Sequence, residues 1–263
     1  MSFVSVRDVW QSYGGRPIIE RVNIDVAEGE FVSIVGASGC GKSTFLRLLL
    51  ADEQPTRGSI TIDGGAPARE PGIERGVVFQ RYSVFPHMSV RDNIVAGQSF
   101  QRPLGRFFGA RLRQAREEAD ATLARIGLSH VADNYPATLS GGMQQRLAIG
   151  QALTARPRVL LLDEPFGALD PGTRLSMHDF LTELRAETSM TVFMVTHDLE
   201  EGFKLGDRVL VFDKPRWDPQ DPGLYGATIT YDFDARDRGI PYQNILDGLP
   251  SLGPAPVPAD ATG

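Results

Sequence analysis

The feature that most constrains this chain is a short apolar run ending in a glycine-rich turn: Phe31-Val32-Ser33-Ile34-Val35, then Gly36-Ala37-Ser38-Gly39-Cys40-Gly41-Lys42-Ser43-Thr44. A continuously apolar run of this length reads as a buried strand. Phe45, Leu46, Leu48, Leu49 and Leu50 behind the turn predict a helix with a wide buried face. The turn matches G-x-x-x-x-G-K-[ST], a phosphate cradle. Glycines let the backbone curl so that successive N–H groups point inward at phosphate oxygens. The helix N-terminus adds the positive end of its dipole. In such a cradle Lys42 meets the β- and γ-phosphates of ATP and the Ser43 hydroxyl ligates Mg²⁺. A plain glycine-rich turn is the bland alternative, and the strand–loop–helix setting argues against it.

Val159-Leu160-Leu161-Leu162-Asp163-Glu164 supplies a second part. A buried strand ending in a carboxylate brings Asp163 beside the metal. Glu164, one step on, can act as general base on the attacking water. Alone, the same letters read as a strand ending in two surface acids.

The rest of the pattern sets the fold class. Val22 to Val26 alternates like a half-buried strand, and 58–63, 76–80 and 191–195 read as further strands. Leu112, Ala115, Ala119, Leu123 and Ile126 recur at helical spacing, as do Phe180, Leu181 and Leu184 after Leu175. Strands alternating with helices predict an α/β fold with a mostly parallel sheet. The first 35 residues read as strands; the expected fold is a P-loop nucleotidase core with an N-terminal antiparallel β subdomain and, over about 86–152, an inserted helical subdomain. One ATPase domain is expected over 1–248, followed by a disordered Pro-rich tail over 249–263. The formal net charge of −6 argues against nucleic-acid binding. The N-terminus has no signal-peptide pattern and no apolar run nears the ~20 residues of a membrane span. The chain is therefore expected to be soluble, or peripheral to a membrane through a partner. Cys40 is the one cysteine, and it is expected to act as a labelling probe inside the cradle.

Leu139-Ser140-Gly141-Gly142-Met143-Gln144-Gln145-Arg146 resembles the signature motif of ATP-binding cassette proteins, and it precedes Asp163 as in that family. Ser140 with the N–H groups of Gly141 and Gly142 would form a second anion site at a helix start. Within one chain that second site is redundant. The resemblance implies that it faces the γ-phosphate held by another copy, so that two head-to-tail cassettes sandwich two ATP molecules. Tyr13 is similar to the aromatic residue that stacks on adenine. Gln80 is similar to the loop glutamine that senses Mg²⁺ and water and meets the transport partner. Gly167-Ala168-Leu169-Asp170 resembles the loop crossing the dimer interface, and His197 the switch histidine near the γ-phosphate. Singly, a tyrosine or histidine is more often structural; six elements in family order reverse that weighting.

One cassette without a membrane span implies separate permease chains. The stretches from Gln80 to Ile94 and from Leu162 to Asp170 resemble bacterial importer ATPases, nearest the nitrate, sulfonate and taurine group. Residues 213–215 and 225–232 resemble transporters found beside urea-carboxylase-like enzymes, which implies a small nitrogen compound such as guanidine or urea. The resemblance further implies a second ATPase subunit (a homodimer is permitted), a periplasmic or extracellular solute-binding protein, and a place on the cytoplasmic face of the inner membrane. The alternative is a soluble ATPase or an ATP-gated regulatory module. Arg102, Arg106, Arg111, Arg113 and Arg116, with Phe107 and Phe108, read as a solvated helix face or as a contact with anionic lipid or the membrane partner.

Overall fold

The computed structural model describes residues 2–79, 84–99, 109–216, 218–221 and 223–236. Gln80, Arg102, Arg106, Phe107, Phe108 and the tail from 249 lie outside the described residues.

Two sheets form the frame. β1 (Val4–Tyr13), β2 (Arg16–Val26) and β4 (Arg57–Ile62) make a three-stranded sheet in the order β2-β1-β4, with both pairings antiparallel. The six-stranded sheet runs β5-β6-β7-β3-β8-β9. It comprises β3 (Phe31–Val35), β5 (Arg75–Val78), β6 (Val159–Asp163), β7 (Thr191–Val195), β8 (Arg208–Asp213) and β9 (Thr228–Asp234). Its first five strands are parallel, and β9 joins β8 antiparallel. A parallel sheet needs cover on both faces, so its inner strands are mostly apolar. β3 and β7 are buried at every residue.

The cover differs by face. Val32, Ile34, Leu161, Phe193 and Val195 share one core with helix α1 (Lys42–Leu50) and the three-stranded sheet. Leu160, Leu162, Val192 and Met194 share the other with α2 (Val90–Ser99), α3 (Ala110–Arg125), α4 (Gly141–Leu153) and α5 (Pro171–Glu187). Helix α6 (Leu199–Leu205) packs by Leu199 and Phe203 against Val35, Val209 and Val211. Leu175 is 55% exposed, so it lies outside the core stripe that the helical pattern suggested. Arg111, Arg113 and Arg116 sit on the exposed side of α3.

The helices α2–α4 pack through small residues. A Cβ on Gly97 would lie 2.8 Å from Gln151 O, and one on Gly150 2.6 Å from Ile126 Cδ1. Asn93, fully buried on α2, accepts from Phe85 N at 2.7 Å. Its amide also donates toward Phe85 O, Met88 O and Ser89 O at 3.0, 3.2 and 2.9 Å. Segment 85–89 is thereby tied to the helical layer. A buried polar side chain of this kind is stable only because its bonds are made. Asn93→Ala is expected to lower unfolding stability by about 2–4 kcal/mol, measured by urea titration. An unchanged midpoint would remove the tie.

Candidate nucleotide site

The parallel strands end at one edge of the sheet, the usual place for a ligand crevice in such folds. β3 ends in the loop 36–41, β6 in Asp163 and Glu164, and β7 in Thr196 and His197. The register makes them neighbours: Asp163 lies beside Val195, and Val195 beside Ile34.

The loop demands its glycines. Gly36 has φ 151°, and a Cβ there would lie 2.2 Å from Phe212 O. Gly41, at the start of α1, has φ 93° and packs on Ile18 and Ile19. No side chain caps α1, so its first-turn N–H groups stay available to an anion. Lys42 is 5% exposed. Its Nζ donates to Gly36 O at 2.7 Å and Ala37 O at 2.9 Å. Among the described residues no carboxylate pairs with this ammonium. Its further partner is the Cys40 sulfur at 3.9 Å; a buried cation held by carbonyls and a thiol is poorly compensated, so a polyphosphate fits this cradle.

Ser43 Oγ donates to Asp163 Oδ1 at 3.0 Å. Burial pushes the Asp163 carboxyl up and Glu164 adds to this, while the Ser43 bond, Arg47 and Lys42 oppose. A hydroxyl and a carboxylate so placed fit a hard divalent cation, which would offset that burial. Among the described residues no cluster of three or more His, Cys, Asp or Glu side chains could hold a metal unaided.

Glu164 has φ 46°, a left-handed conformation rare outside glycine. Its N–H donates to Val195 O at 3.0 Å, and Gly167 N donates to its carbonyl at 3.3 Å. The carboxylate Oε2 lies 3.6 Å from His197 Nδ1. The pair thus stands together at the strand ends, with His197 the more exposed. Tyr13 is 44% exposed. Its hydroxyl meets the Glu53 carboxylate and neighbours Thr44. Burial and Glu53 raise the phenol above its usual range. The exposed ring therefore stands next to the loop.

Ser140 caps α4, accepting from Met143 N at 3.3 Å. Asp170 caps α5, accepting from Thr173 N at 3.1 Å, and that bond holds its carboxyl low. The two caps meet laterally, since a Cβ on Gly142 would lie 2.3 Å from Thr173 Cγ2. Among the described residues no hydrogen bond links Ser140, Gly141 or Gly142 to the loop 36–44. Gln80 follows β5 and lies outside the described residues.

Residues that sequence reading passed over stand behind this edge: Arg174, His178, Thr196 and Glu201. Asp198-Leu199-Glu200-Glu201 has the spacing of a helix capping box, a legible signal. Asp198 Oδ1 does accept from Glu201 N at 3.1 Å.

Cys40 is 5% exposed, and burial pushes its thiol up, with Lys42 opposing. The expectation of a ready probe is corrected on that ground, since the thiolate is the reactive form. Maleimide should label folded protein far more slowly than urea-unfolded protein. Equal rates by mass spectrometry would contradict this burial.

The ABC transporter family profile matches residues 19–167. An ATP-binding protein of Brucella abortus is 44% identical over 208 residues, 79% of this chain and 77% of that one. The nitrate import ATP-binding protein NrtD of Synechococcus elongatus is 45% identical over 193 residues, 73% of this chain and 68% of that one. The dimeric post-hydrolysis structure of the ATP-binding cassette MJ0796, bound to ADP and Pi, matches with a TM-score of 0.70 at 29% identity, covering 89% of this chain and 99% of that one. With the family profile, these likenesses and the loop, carboxylates and capped signature helix in one frame, the chain belongs to the ABC transporter family, as an ATP-hydrolysing cassette.

Proposed function

We propose that the chain is the ATPase subunit of a bacterial ABC import system, coupling ATP-driven closure of a cassette dimer to movement of a small polar solute. The observation that carries this is the buried Lys42 ammonium beside the Ser43–Asp163 pair, at the sheet edge that also bears Glu164 and His197. Import is supported by the likeness to the nitrate import protein. A dimer is supported by the dimeric MJ0796 cassette. Among the described residues no helix is long and apolar enough to cross a membrane. Separate permease subunits as carriers of the solute path are part of this reading. A solute-binding protein on the outer side and a peripheral seat on the inner membrane complete the reading, with 1–248 as one ATPase domain.

ATP enters with adenine on Tyr13 and its phosphates over Gly36, Ser38, Gly39, Cys40, Gly41, Lys42, Ser43 and Thr44. Ser43 and Asp163, with Gln80, would hold Mg²⁺, which neutralises phosphate charge when bound. Ser140, Gly141 and Gly142 of a second copy close over the γ-phosphate, and Asp170 lies at that interface. Closure shifts the region of Gln80 and through it the permease. Glu164 takes a proton from the attacking water, and His197 holds the γ-phosphate geometry. Catalysis here is positioning and electrostatics, as in phosphoryl transfer generally.

Glu164→Gln keeps the shape and removes the base. ATP turnover is expected to fall by about 10²–10⁴-fold, with ATP retained and a dimer accumulating on size exclusion. Turnover at the parent rate would refute the role. Lys42→Ala removes a charge-assisted contact of ~1.5–3 kcal/mol, so ATP affinity is expected to drop by roughly ten- to hundred-fold. Calorimetry showing parent affinity would count against the cradle.

A further inference from the structure

We propose that His178, Glu201 and Thr196 form a buried clamp that fixes the His197 loop to helix α5, which makes His178 a positioning residue for ATP hydrolysis. The inference rests on the role proposed above for His197.

Glu201 is a carboxylate only 5% exposed, on the first turn of α6. A buried charge persists only where its oxygens are engaged. Both are. Oε1 lies 3.0 Å from Nε2 of His178, itself 5% exposed, and Oε2 accepts from the Thr196 hydroxyl. The Thr196 hydroxyl in turn accepts from Asp198 N at 3.1 Å, and Thr196 N donates to Ile34 O at 3.1 Å. His197 is therefore flanked by two residues that the clamp holds.

Helix α5 grips α6 at a second point. Arg174, one turn before His178 and so on the same face, reaches Asp198 Oδ2 at 3.5 Å. Helix α5 begins at the Asp170 cap, and Phe166 packs edge-on against the His178 ring with centroids 5.0 Å apart. The clamp thus joins the Gly167–Asp170 loop to the His197 loop through one helix. Glu164, Arg174, Thr196, His197 and Glu201 line one small cleft. A shift at Glu201 reaches His197 through its chain neighbours Thr196 and Asp198, which Glu201 bonds directly.

The test is steady-state MgATP hydrolysis by the full chain. A misplacement near 1 Å can cost about 10²-fold, so His178→Leu is expected to lower kcat by about ten- to hundred-fold. KM for ATP should stay within about twofold, since the interaction acts after binding. His178→Gln, whose amide can still donate to Glu201, should recover most of that loss. The chain has four histidines, so the ring signal of His197 can be assigned by NMR; it should move in His178→Leu and return in His178→Gln. Leu184→Ala, a buried change elsewhere on α5, should lower the melting temperature without moving kcat or that signal. Equal kcat loss in Leu184→Ala at matched melting temperature would reduce the effect to destabilisation and overturn the clamp. So would His178→Gln falling as far as His178→Leu. Where His178→Leu does not fold, Thr196→Val removes the hydroxyl at constant shape and is expected to lose kcat alike. His197→Ala separates the two claims. If it matches the parent, the role of His197 is wrong; if it is inactive while His178→Leu and Thr196→Val match the parent, the clamp alone is wrong.

Discussion

A buried positive charge organises the functional edge of this molecule. The ammonium of Lys42 sits inside the loop on the carbonyls of Gly36 and Ala37, and carbonyl dipoles compensate a cation only in part. The loop must then bring backbone very close to backbone. Gly36 passes under Phe212 O where a Cβ would collide, and Gly41 turns left-handed against Ile18 and Ile19. Glycine at these two points is a packing requirement. On the proposed reading, a phosphate at this loop exchanges dipole contacts for ionic ones at Lys42.

The sheet topology explains why the other groups arrive there. The chain leaves β3 through α1 on one face, and the β7-to-β8 connection crosses by α6 on the other, so β3 sits at the point where the winding reverses. Crevices open at such points. Asp163 and Glu164 end a strand next to β7, and β7 pairs with β3. Residues far apart in sequence therefore meet through backbone pairing, before any side chain contributes.

What was legible in the sequence was local or doubly covered. β3 and β6 are buried on both faces, so they stand out as apolar runs, and the loop between β3 and α1 is contiguous. The wide buried face of α1 was equally plain. What was not legible depends on distant partners. β9 is an edge strand with exposed polar residues, and the Arg208–Asp232 pair tethers it to β8. Asp8 and Arg21 take positive φ where the three-stranded sheet bends, with Gly58 packed against Asp8 O; each looks ordinary on its own strand. The left-handed φ of Glu164 leaves no mark in the letters, since any L residue is strained there. His178 reads as one more helix residue because Glu201 lies 23 positions on.

The mechanical division of the molecule follows from where its small and polar buried residues lie. Gly97 and Gly150 let α2, α3 and α4 approach closely, and Asn93 fastens segment 85–89 to them. The helical layer is thus internally tight, while the Lys42 loop belongs wholly to the sheet. Helix α4 meets α5 through the Gly142–Thr173 contact and the bond from Arg146 to Ser176 at 2.9 Å, and both helices share one core with Leu160, Leu162, Val192 and Met194 of the sheet. Ser140 opens a helix that belongs to the helical layer, and among the described residues no hydrogen bond joins its turn to the loop of its own chain. On the proposed reading, that turn meets a γ-phosphate held by a second cassette. The helix that carries it also leans on α5, which leads to His197. On the proposed reading, closure over ATP and the setting of His197 therefore both act through α5.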